Sequence, residues 1–91
     1  MSNKIRTAVL EEANDLITGE RASDYGDAYS NFNCIATMWS AYLGGSKKVS
    51  AQDVCHMMAL LKIARLRVSG GKHWDSSVDG AGYMALGAEM A

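Results

Sequence analysis

With 91 residues, 48% hydrophobic and 21% charged, the chain has room for one modest core and too much apolar content to remain disordered. A formal net charge of -1 removes the broad positive field that draws proteins to duplex nucleic acid or to an anionic membrane surface. Two cysteines, Cys34 and Cys55, form neither a disulfide framework nor a zinc motif, which points to a reduced, cytoplasmic setting.

Proline is absent and the apolar spacing is helical nearly throughout, so the expected fold is all-α. The expected architecture is one domain over residues 1–91, a compact bundle of about four helices that is stabilised further by forming oligomers. No stretch reaches the roughly eighteen apolar residues of a membrane span, and the N-terminus lacks the apolar centre of a secretory leader. The first helix is predicted over Asn3–Thr18, capped by Ser2 or Asn3. It turns Ile5, Val9, Ala13 and Leu16 or Ile17 inward and ends at Gly19. A polar loop over residues 20–26 leads to a second helix over Asp27–Leu43, with Phe32, Ile35, Ala36, Trp39 and Leu43 on its buried side. Gly44 and Gly45 stop it.

Ser50 followed by Asp53 reads as a capping box with Asp in place of Glu, opening a third helix from Ala51 to about Val68. At roughly 100° per residue this helix carries two polar stripes, Asp53/His56/Arg67 on one side and Lys62/Arg65/Ser69 on the other. An ordinary surface helix has one. A central position follows, with one face toward solvent and the other toward something else. Lys62 and Arg65 then either snorkel to the surface, pair internally with Asp75 or Asp79, or face a bound anion such as phosphate.

After Gly70 and Gly71, a fourth helix is expected to start near Ser76 or Ser77 and run to the C-terminus. Gly80, Gly82 and Gly87 each cost that helix roughly 1 kcal/mol relative to alanine. Close approach of the third helix or of a second copy accounts for them, as does room for a flat ligand. Asp75 and Asp79, four apart, share a face and repel mildly unless a metal, a basic side chain or water intervenes.

Two segments are more particular than generic core. One is Arg21-x-x-Asp24-Tyr25-Gly26-Asp27, followed by Asn31-Phe32 and Trp39. The other runs from Asp53 through Met57, Lys62 and Arg65 to His73-Trp74-Asp75-x-x-x-Asp79-x-Ala81-Gly82-Tyr83. Together they resemble a family of short phage and prophage proteins, over nearly the whole chain. More distantly they resemble the all-α MazG-like nucleotide pyrophosphohydrolases and dimeric dUTPases. That second resemblance implies four helices, oligomers built on helix pairs and a nucleotide site inside the bundle. It also implies two acidic pairs that hold Mg²⁺. Asp75 and Asp79 stand for one pair. Where the other is expected the chain has Met57, Met58, Lys62 and Arg65; Glu11, Glu12 and Asp15 on the first helix could substitute, and a solvated acidic face with a poor positional fit explains them equally well.

The incomplete acidic set favours nucleotide binding without a catalytic residue or cofactor. The expected ligand-binding residues are Arg21, Tyr25, Lys62, Arg65, His73, Trp74 and Tyr83. Tyr25 would stack on a base and Arg21 would meet phosphate; plain turn chemistry explains the same loop. His73 and Trp74 equally suit a purely structural anchor. In a phage setting, such a protein would sequester a cyclic nucleotide or an ADP-ribose-type defence signal. The rival readings are a Mg²⁺-dependent nucleoside triphosphate pyrophosphohydrolase with Asp75 and Asp79 as ligands, and a helical module that binds a host protein.

Overall fold

The computed structural model describes residues 3–19, 27–45 and 48–91. Among the described residues four helices follow in order: α1 (Asn3–Thr18), α2 (Ala28–Tyr42), α3 (Ala51–Val68) and α4 (Trp74–Glu89). No strand occurs among the described residues, and no helix among them is long and apolar enough to cross a membrane.

The helix ends follow from their capping residues. Asp27 precedes α2 and its carboxylate accepts from the Ser30 amide at 3.4 Å and the Ser30 hydroxyl at 3.2 Å. The capping box of α3 is complete: the Asp53 amide donates to Ser50 Oγ and the Ser50 amide donates to Asp53 Oδ2, both at 3.0 Å. The α2 and α3 C-termini close the same way. The Gly45 amide returns to the Ser40 carbonyl (2.9 Å) and the Gly71 amide to the Leu66 carbonyl (2.7 Å). At both ends two consecutive glycines hold positive φ, the left-handed backbone that this closure requires.

The start of α4 differs from expectation. It begins at Trp74, not at Ser76 or Ser77, with His73 as its N-cap. Ser76 does not cap the helix; it is buried, and its hydroxyl lies 2.6 Å from His73 Nδ1. The His73 backbone carbonyl accepts from the Ser76 and Ser77 amides, so the first turn closes without a side-chain cap.

Helices α3 and α4 are the two central elements: α4 packs against α3 and α1, and α3, as its two polar stripes imply, also carries α2. The core gathers Phe32 and Ala36 of α2 with Ala51, Val54 and Cys55 of α3, and Tyr83 and Leu86 of α4 lean on it. Gln52 adds a polar tie, donating from Nε2 to the Gly87 carbonyl at 3.0 Å.

Two α4 glycines mark close helix contacts. A Cβ at Gly82 would lie 3.3 Å from Ile17 Cγ2, and one at Gly87 would lie 3.2 Å from Cys55 Cβ and from the His56 ring. Close packing against α3 is thus one of the alternatives left open for these glycines, and it is realised at Gly87.

Burial is less complete than the periodicity implies. Ala13, Phe32 and Ala36 are buried as expected, but Ile5 is 64% and Leu43 49% exposed. The radius of gyration is 14.4 Å, against roughly 12 Å for a compact chain of this length. The helical layer measures 49 × 30 × 20 Å, more open than the compact bundle expected.

Candidate functional site

The candidate residues converge on the hairpin formed by the second half of α3, the turn at residues 69–73 and the first half of α4. Lys62 lies on the α4-facing side of α3, close to Gly80. Its side chain is 13% exposed and its Nζ sits 2.9 Å from Asp79 Oδ2. Of the three readings open for this lysine, the internal pair with Asp79 is the one formed. An ammonium this far withdrawn from water needs such a partner.

Arg65 does not share that arrangement. It is exposed, and its guanidinium has no acidic partner among the described residues. One turn further along the chain, Ser69 Oγ accepts from the His73 amide at 3.2 Å and fixes the approach to α4. The Asp75 side chain is exposed in the first turn of α4, where the helix dipole favours a carboxylate. Asp75 and Asp79 do share the α4 surface. Because Asp79 carries the Lys62 ammonium, the two do not offer a divalent cation a pair of free carboxylates. Among the described residues no group of three or more histidine, cysteine, aspartate or glutamate side chains is placed to hold a metal.

The aromatic candidates separate. Trp74 is 40% exposed and its indole N–H donates to Glu12 Oε2 of α1 at 2.6 Å. Tyr83 turns to the core instead, its ring edge-on to Phe32 at 6.3 Å and 72°. Arg21 and Tyr25 lie outside the described residues. Of the candidates the structure pairs Lys62 with Asp79; Arg65, His73 and Asp75 lie on the same hairpin, Trp74 is tied to α1 and Tyr83 is assigned to packing. A shallow depression lined by Lys4, Thr7, Ala8 and Glu11 belongs to α1 and includes none of these residues.

Sequence reasoning missed two features. Glu12, open to reading as a substitute metal ligand or as part of a solvated face, instead anchors Trp74 across 62 residues of chain. No local signal announces a contact of that span. The second was readable: the Asp53/His56/Arg67 side of α3 also exposes Met57 (45%), Leu60 (63%), Leu61 (45%) and Val68 (91%). On the helical wheel Leu60 lies among the charged residues and Met57, Leu61 and Val68 flank Asp53, so the solvent-facing side of α3 is itself largely apolar.

The chain is 46% identical over 83 residues to the Gene 55 protein of Mycobacterium phage L5, covering 91% of this chain and 52% of that protein. It is 47% identical over 76 residues to the Gene 55 protein of Mycobacterium phage D29, covering 84% of this chain and 48% of that protein. It thus spans about half the length of the curated relatives it matches. No solved structure matches. The expected kinship with short phage proteins is met at family level, since the model of one family, described as a domain of unknown function, matches residues 8–91. The chain belongs to that family, DUF6378.

Proposed function

We propose that the chain is a non-catalytic nucleotide-binding protein, a phage sponge that holds a cyclic nucleotide or an ADP-ribose-type defence signal in the host cytoplasm. The observation that carries this reading is the pairing of a withdrawn cation with an exposed one on the same helix. Among the described residues Lys62 is held by one carboxylate at 2.9 Å, and Arg65, three residues on, is exposed without an acidic partner. On this reading a phosphate displaces the Asp79 carboxylate from Lys62 and takes the planar fork of Arg65. The uncapped first turn of α4, with Trp74 and His73 beside it, adds backbone donors and an aromatic face to the same hairpin. Membership of a family with mycobacteriophage relatives is compatible with a role against host defence.

Binding is favoured over Mg²⁺-dependent hydrolysis because the two α4 carboxylates are unequal. Asp79 is engaged by Lys62 while Asp75 faces water. The test is a thermal-shift panel of nucleotides and cyclic nucleotides, with and without Mg²⁺, followed by mass analysis of the recovered ligand. Stabilisation without Mg²⁺ and return of intact ligand support the sponge. Mg²⁺-dependent release of pyrophosphate overturns it in favour of an enzyme. A panel that shifts nothing favours the third reading, a helical interaction module, to which the exposed apolar side of α3 lends support.

A further inference from the structure

The outward side of α3 is a self-complementary surface, and we propose that it docks on a second copy of this chain as an antiparallel helix pair centred on Leu60. Two observations choose this occupant. The first is area. The chain exposes 6558 Å², whereas a monomeric protein of 9.8 kDa is expected to expose about 5,200 Å². The excess is larger than the roughly 800 Å² that each partner contributes to an interface of standard size. Of the large apolar side chains exposed among the described residues, α3 carries Met57, Leu60, Leu61 and Val68 on its outward side.

The second observation is the arrangement of charge. Asp53, Leu60 and Arg67 recur at intervals of seven and fall within about 40° of one another on the helix surface. A twofold axis through Leu60 brings each residue opposite the one equally far along in the other direction. Asp53 then meets the partner's Arg67 and Arg67 meets the partner's Asp53, one ion pair at each end. Between them Met57 faces the partner's Ile63, a flexible side chain against a branched one, while the His56 ring packs beside Gly87 of α4. A parallel pair would set Asp53 against Asp53 and Arg67 against Arg67. Sequence alone gives this face its charge order; only the structure shows that none of the other described helices covers it.

The inference is independent of the nucleotide reading, which uses the opposite side of α3. It is tested on the full chain by light scattering and cross-linking, with helicity checked by circular dichroism. The native chain is expected to run at twice its 9.8 kDa mass. Leu60→Glu, which sets two carboxylates face to face at the axis, is expected to run as a folded monomer. Arg67→Glu is expected to weaken association by about tenfold. In a Cys34→Ser background, Leu60→Cys should cross-link to itself with a short bismaleimide. Val68→Cys should not, because the antiparallel register holds the two copies of that position about 24 Å apart along the axis. A monomeric native chain, a dimer indifferent to Leu60→Glu, or cross-linking through position 68 instead of 60 would each overturn the proposal.

Discussion

Lys62 and Asp79 join the two central helices through a 2.9 Å ion pair in which the lysine is the more withdrawn partner. The consequences of removing either end are therefore unequal. Asp79→Ala leaves a sheltered ammonium without a counterion and is expected to cost about 1–2 kcal/mol. The figure stays modest because a third of the Asp79 side chain still meets water. Lys62→Met keeps the packing beside Gly80 and leaves the carboxylate able to reach solvent, so its cost should be below about 1 kcal/mol. Urea denaturation of both variants measures the difference; equal losses would show that the pair is held by packing alone.

The same two positions bear on ligand binding. If phosphate displaces Asp79 from Lys62, Asp79→Asn removes the competitor and tightens binding of whichever nucleotide the panel identifies. Lys62→Ala should weaken it by a few kcal/mol (roughly 2–3). Titration calorimetry on the two variants reads opposite signs. A change in the same direction for both would remove the pair from the binding site.

The α4 glycines offer a contrast within one helix. A Cβ at position 80 would sit 3.8 Å from Lys62 Cβ, an ordinary contact. Gly80→Ala should then recover helix propensity and stabilise the protein by about 0.5–1 kcal/mol. At position 87 the new methyl would lie 3.2 Å from Cys55 Cβ, which is fixed to the α3 backbone and cannot swing away. Gly87→Ala is expected to push the helices apart and lose about 1 kcal/mol net of the propensity gain. Thermal melts of the two variants should move in opposite directions.

These contrasts show what the sequence could and could not reveal. Periodicity and capping chemistry are local, and they placed α3 at its observed limits because Ser50, Asp53 and Gly70 act within one turn; α1 also ends at Thr18, but Gly19 does not take the left-handed backbone of a glycine cap. The start of α4 was misplaced because Ser76, a good cap by type, is taken up by His73 and buried. Inside the candidate site, the inward turn of Lys62 followed from its position on the wheel. Its choice of Asp79 over Asp75, and the turning of Tyr83 to Phe32, depend on how α4 rotates against α3 and α2. That rotation is set by close contacts such as the one at Gly87, which a helical wheel does not contain.

The capping box gives α3 a pH dependence. Hydrogen bonds from Ser50, its backbone amide first and its side chain second, hold the Asp53 carboxyl below its ordinary value of 3.8, and His56 adds to this. A carboxyl with a lowered folded-state pKa adds stability that is present above 3.8 and is lost as pH falls through the lowered value. Asp53→Asn should abolish that part of the acid sensitivity, so the stability difference between native chain and variant shrinks with acidification below 3.8. Ser50→Ala removes the reciprocal bond and is expected to cost about 1 kcal/mol at neutral pH. Denaturant midpoints measured along a pH series would check both; a difference that grows as the solution is acidified would reverse the assignment.

The two cysteines lie in different surroundings and should differ in reactivity. Cys34 is exposed on α2, whereas Cys55 is fully buried in α3 and burial pushes its thiol pKa up. A thiol without thiolate character and without solvent access does not attack a disulfide reagent. Aromatic-disulfide titration of the native chain should therefore count one thiol, and both only after unfolding in guanidinium. Because Cys55 Cβ also abuts Gly87, its rate of appearance reports separation of α3 from α4 and not fraying of an end. Loosening that contact with Gly87→Ala should accelerate labelling of Cys55 and leave Cys34 unchanged. Prompt reaction of both thiols in the native protein would mean that the α3–α4 interface opens far more readily than its packing implies.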